Sequence, residues 1–206
     1  MTLYDLFFPP RCPYCDTLTG CVCEACSSCM KMINDAHHIQ LLPNGTPCIS
    51  AFPYLDFFKE SMLRYKYGNC RQYYKAFAIT LSKLVSYAPV DTPFDVYTSV
   101  PVKHALPGNR FDQAKLLAQS TAKRSGSVYE SLLLKTKFTG FQHDLSAKER
   151  AENVVGLYRS RDGANIEGRS ILIFDDVVTT GSTLSACSDA LLSSGAKSVC
   201  SITLLY

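Results

Sequence analysis

Asp175 and Asp176 stand side by side at the end of an apolar run, Ser170-Ile171-Leu172-Ile173-Phe174. A continuous run of this kind has the character of a buried parallel strand. In an open α/β sheet, ligands gather outside the carboxyl ends of the strands. The residues that follow, Val177-Val178-Thr179-Thr180-Gly181-Ser182-Thr183, are small and hydroxylated, with a glycine that permits a tight turn. A helix is predicted to begin near Thr183, and its free N–H groups and positive dipole end form an anion site. One loop thus presents carboxylates to sugar hydroxyls and donors to a phosphate, and a phosphorylated pentose satisfies both. A plain helix cap beside two solvated acids would not require the strand, the acid pair, the glycine turn and the helix to occur together.

A second constellation lies near the N-terminus. Cys12-Pro13-Tyr14-Cys15 and Cys23-Glu24-Ala25-Cys26 are two Cys-x-x-Cys knuckles separated by seven residues. Tetrahedral Zn²⁺ takes four such ligands, and a closed four-thiolate site is structural. Cys12, Cys15, Cys23 and Cys26 are the expected set, with Cys21 and Cys29 as competing choices because Cys26-Ser27-Ser28-Cys29 has the same spacing. A segment of this size buries little core of its own, so a metal staple is expected. Cys48, Cys70, Cys187 and Cys200 are isolated and read as small core residues. His37-His38 are adjacent, do not face one another and read as surface residues.

The elements that position these groups fall into zones. Residues 1–47 form the expected zinc module, ending in Leu42-Pro43-Asn44-Gly45-Thr46-Pro47, and residues 48–206 a second domain. Residues 48–92 read as mostly helical, interrupted near Gly68-Asn69. Residues 93–206 alternate: strands over Phe94–Val100, Ser170–Phe174 and Ser198–Tyr206, helices over Gln113–Ser125 and Ser182–Ser194, the last closed by Gly195. A short strand is expected within Tyr129–Leu134 and a short helix over Ala147–Asn153. The fold class is therefore α/β, a mostly parallel sheet with helices on both faces.

The segment from Ile171 to Thr183 resembles the 5-phosphoribosyl-1-pyrophosphate (PRPP) motif of type I phosphoribosyltransferases. The resemblance implies that Asp175 and Asp176 hold the ribose hydroxyls, directly or through Mg²⁺. It implies that Val178, Thr179, Thr180, Gly181, Ser182 and Thr183 wrap the 5′-phosphate. Type I enzymes place a pyrophosphate loop after the strand equivalent to the one ending at Val100, which makes Lys103 the candidate there. The polar stretch from Lys135 to Leu145 reads as a closing loop that excludes water and supplies positive charge, with Arg150 beyond it as a second candidate. With the last strand ending at Tyr206, residues 48–92 are the expected hood.

The wider pattern resembles the ComF/ComFC competence family. It is carried by the paired knuckles, Tyr65-Lys66-Tyr67-Gly68-Asn69, Val100-Pro101-Val102-Lys103, Phe111-Asp112-Gln113-Ala114, Gln142, Leu145, Lys148-Glu149-Arg150, Asn153-Val154 and the PRPP loop. The family usually reads Arg-Gly-Phe-Asn-Gln where this chain has Asn109-Arg110-Phe111-Asp112-Gln113. The resemblance implies a type I phosphoribosyltransferase fold with a zinc finger, and a role in natural transformation, the handling of incoming single-stranded DNA in the cytoplasm alongside other competence proteins. Transfer of the phosphoribosyl group to a nucleobase or other acceptor is the alternative.

Basic residues interleave with aromatics between Lys59 and Lys75, a composition that can track a strand and stack bases. Lys66, Arg71, Lys75 and, further on, Arg110 are the candidate DNA contacts; an amphipathic helix with snorkelling charges is the plainer account. The whole chain fits these assignments. Its 206 residues are 47% apolar and 19% charged with net charge +3, which suits a globular protein and permits an anionic partner without demanding one. No run approaches the ~18 apolar residues of a membrane span. The N-terminus lacks a basic region and a long apolar core, so no signal peptide is expected and the cytoplasm is the expected location.

Overall fold

In a computed structural model, residues 11–18, 26, 37–68, 70–90, 93–102, 112–136 and 156–206 are described. Strands β1 (His38–Leu41), β2 (Pro47–Phe52), β3 (Val96–Ser99), β6 (Ser170–Phe174) and β7 (Ser198–Leu205) form one sheet in the order β1-β2-β7-β6-β3. β4 (Leu133–Lys135) and β5 (Tyr158–Ser160) form a separate antiparallel pair. All neighbours in the large sheet run parallel except β1, which pairs antiparallel with β2. The helices are α1 (Asp56–Tyr67), α2 (Tyr74–Leu84), α3 (Gln113–Ser125) and α4 (Ser182–Leu192), with short 3₁₀ turns at Arg71–Tyr73 and Val85–Tyr87.

Both faces of β6 are buried, and the two-residue period of a strand sorts its side chains between two cores. Leu172 and Phe174 join Phe52, Tyr65, Phe77 and Leu117 on the face covered by α1, α2 and α3. Ile171 and Ile173 join Val96, Leu184, Cys187 and Leu191 on the face covered by α4. Polar residues inside the sheet pair with one another: Ser50 Oγ and Thr203 Oγ1 lie 2.7 Å apart between β2 and β7. Such pairing removes most of the penalty of burying a hydroxyl.

The expected helices over 113–125 and 182–194 are present, the second ending two residues early at Leu192. Asp112 caps α3 by accepting a hydrogen bond from the Lys115 backbone N–H at 2.9 Å. Residues 48–92 differ from the mostly helical expectation, because Pro47–Phe52 is a strand. Its last five residues are all buried, so it lacks the polar–apolar alternation that marks a half-exposed strand. β1 also brings residues 38–41 onto the sheet, where His38 stacks on Tyr206 with ring centroids 4.3 Å apart. The expected helix over 147–153 lies outside the described residues. Among the described residues, no helix is long and apolar enough to cross a membrane.

Candidate functional site

The parallel strands β3, β6 and β7 end together, and the acid pair emerges between its neighbours. Asp175 N–H donates to Ile202 O at 3.1 Å, Val178 N–H to Leu205 O at 2.9 Å, and Val100 N–H to Phe174 O at 3.0 Å. The loop is therefore pinned to β7 on one side and to the end of β3 on the other. Val178 is buried, while Thr179 and Thr180 are exposed. Thr180 Oγ1 and Ser182 Oγ lie 3.0 Å apart, so the hydroxyls of the loop cluster at the start of α4. Gly181 caps that helix with φ of +75°, and a Cβ there would meet Leu42 Cδ2 at 2.8 Å. Both the left-handed backbone and the lack of room require glycine.

Burial, followed by the adjacent Asp176, raises the Asp175 carboxyl well above the usual carboxylate range. Asp112 adds a third negative group: burial raises its pKa too, and Asp176 contributes. The cation facing the Asp175–Asp176 pair comes from α1. Lys66 Nζ lies 2.8 Å from Asp176 Oδ2, and both side chains are largely shielded from solvent. Burial alone would lower the pKa of this ammonium, but Asp176 and then Asp175 more than offset that and raise it.

Two residues at this site have no signal in the local sequence. One is the pairing of Lys66 with Asp176, which spans the chain. The other is Tyr158 on β5, buried beside Asp175 and Thr183; burial, then Cys187 and Asp175, push its phenol up to about 12. A cavity of about 530 Å³ opens beside the loop between α4 and β5, lined in part by Tyr158, Arg159, Ser182, Ser185 and Asp189. Lys103, Arg110 and Arg150 lie outside the described residues. Val102, which precedes Lys103 in sequence, is described.

Cys12, Cys15 and Cys26 bring their sulfurs within 4.8 Å of one another. Sulfurs bound tetrahedrally at about 2.3 Å from Zn²⁺ lie about 3.8 Å apart, so the cluster suits a metal ion. Cys23, the expected fourth ligand, lies outside the described residues. The knuckle is built into the main core. Tyr14 inserts edge-on among Phe52, Phe58 and Phe77, with centroids 6.1, 5.8 and 5.9 Å away. Arg64 Nη2 donates to the Pro13 and Tyr14 carbonyls at 3.0 and 3.2 Å, and Tyr73 Oη donates to Asp16 Oδ1 at 3.1 Å.

This packing corrects part of the nucleic-acid expectation. Tyr65 and Tyr73 are fully buried, so they fill the core and offer no face to a base. Arg64 serves the knuckle. Arg71 and Lys75 are exposed, as is Tyr67. Cys48, Cys187 and Cys200 are core residues as expected, and burial pushes their thiols up.

Residues 119–206, which include the whole acid-and-hydroxyl loop, match the phosphoribosyl transferase domain model. The competence protein ComFC of Bacillus subtilis strain 168 is 28% identical over 200 residues, covering 94% of this chain and 77% of that protein. The chain is thus similar to ComFC along nearly its whole length. The chain is also 37% identical over 90 residues to the DNA utilization protein YhgH of Escherichia coli O157:H7, covering 43% of its own length. The chain spans 39% of the length of that protein. Among solved structures, an adenine phosphoribosyltransferase from Leishmania tarentolae aligns with 82% of this chain and 94% of its own, at 13% identity and a TM-score of 0.46.

Proposed function

We propose that this protein binds PRPP and serves in DNA uptake and utilization, handling incoming single strands. The observation that carries the reading is the loop from Asp175 to Thr183: two acids at the end of a buried strand, followed by a glycine-turned, hydroxyl-rich helix start. Asp175 and Asp176 hold the ribose hydroxyls, and residues 178–183 hold the 5′-phosphate. Mg²⁺, arriving with the pyrophosphate, favours the charged form of the crowded Asp175–Asp176 pair, which burial and mutual repulsion otherwise disfavour. Lys103 and Arg150 act on the pyrophosphate side. Cys12, Cys15, Cys23 and Cys26 hold a structural Zn²⁺, for which the three clustered sulfurs give support. The similarity to ComFC and YhgH supports the DNA role, with Arg71, Lys75 and Arg110 as strand contacts.

Calorimetric titration of PRPP with Mg²⁺ into wild type and into the Asp175→Ala/Asp176→Ala double variant tests the site. Binding by wild type and its loss in the variant are expected. Equal binding by both would place the ligand elsewhere.

A further inference from the structure

Lys66 lies in the last turn of α1, and the fold fixes this turn from both sides. Arg64 ties it to the knuckle carbonyls, and Tyr65 Oη donates to Gln113 O at 3.2 Å, at the start of α3. Gly68 closes the helix so tightly that a Cβ would come within 2.7 Å of Arg64 O. The ammonium is thus delivered to Asp176 by a braced element rather than by a free surface side chain. It has three donors. Among the described residues it forms an ion pair with Asp176, and a quarter of its side chain remains exposed to solvent. A carboxylate likewise accepts several hydrogen bonds, so Asp176 can serve a sugar hydroxyl while keeping Lys66.

We propose that Lys66 is a ligand-binding residue that recognises the pyrophosphate of PRPP while remaining bonded to Asp176. The inference rests on the reading of the Asp175–Thr183 loop as a PRPP site and deepens it. In PRPP the 2′-hydroxyl sits on the carbon next to C1, which carries the pyrophosphate. A donor attached to the carboxylate that holds this edge of the ribose is within reach of the anion on C1. The 5′-phosphate lies at the other end of the sugar, on the helix start at residues 178–183. Lys66 therefore distinguishes PRPP from a pentose phosphate that lacks the pyrophosphate. The assignment also explains why a lysine is brought to a site that Mg²⁺ is expected to enter. One cation orients the acid and grips the leaving end of the ligand, and the metal neutralises the rest.

The test is calorimetric titration of PRPP, pyrophosphate and ribose 5-phosphate, each with Mg²⁺, into wild type, Lys66→Met and Lys66→Arg. Thermal melting of each variant verifies that it is folded. Lys66→Met is expected to weaken PRPP and pyrophosphate by about tenfold to a hundredfold, to leave ribose 5-phosphate within about twofold, and to be partly rescued by Lys66→Arg. Equal weakening of PRPP and ribose 5-phosphate would make Lys66 a mere support for Asp176 and overturn the proposal, as would unchanged PRPP binding. If wild type bound none of the three, the PRPP reading itself would fall. Binding by wild type with an indifferent Lys66→Met would sink only the role of Lys66.

Discussion

At the residue scale, the Asp175 carboxyl titrates above the ordinary carboxylate range because burial, and then Asp176, disfavour its charge. In the unfolded chain it ionises near pH ~3.9, while in the fold it keeps its proton to higher pH. The stability associated with its neutral form is complete below about pH 3.9 and is lost as pH rises through the folded pKa. Asp175→Asn removes that loss. In Mg²⁺-free buffer at neutral pH the variant should be more stable than wild type by about 1 kcal/mol or more, with the gap closing as pH falls towards 4. Urea denaturation at several pH values measures this, and a variant less stable than wild type at pH 7 would contradict it. The same substitution should abolish PRPP binding, so the site keeps an acid that the empty fold would be more stable without. Gly181→Ala should cost about 1–3 kcal/mol, since it combines a left-handed backbone with a close approach to Leu42. A melting temperature unchanged by Gly181→Ala would show that the loop relaxes freely.

At the element scale, α1 links the cysteine knuckle to the acid pair. Arg64 holds the knuckle carbonyls and Lys66, two residues on, holds Asp176. Removal of the metal, or Arg64→Met, should therefore loosen α1 and weaken PRPP binding although neither change touches the ligand. Hydrogen exchange across residues 56–67, with PRPP affinity measured alongside, checks this; faster exchange with unchanged affinity would uncouple the two sites. What the sequence disclosed follows the same scale. The helix over 113–125 was legible from its apolar Leu116, Leu117 and Ala118, the helix from Ser182 from the Gly195 that closes it, and the strand over 170–174 from its apolar run. The strand Pro47–Phe52 was not, because burial on both faces erases alternation. The acid loop was readable as chemistry, but the approach of Lys66 and Tyr158 depends on how α1 and β5 pack, which no local spacing encodes.

At the scale of the whole molecule, one parallel sheet separates two cores and its strand ends carry the site, while the knuckle inserts Tyr14 into the core under α1 and α2. The exposed Arg71 lies in the 3₁₀ turn between those helices and the exposed Lys75 in the first turn of α2. Arg71→Ala/Lys75→Ala should weaken single-stranded DNA binding and lower its salt dependence by about one to two ions, with PRPP affinity preserved. Fluorescence anisotropy of a labelled oligonucleotide over a salt series reads both quantities, and an unchanged slope would move the strand to another face. The most direct test of the central claim is a crystal structure with PRPP and Mg²⁺ bound. The account predicts the ribose hydroxyls on Asp175 and Asp176 and the 5′-phosphate on the backbone amides of residues 179–183. A ligand lodged away from the ends of β6 and β7 would contradict it.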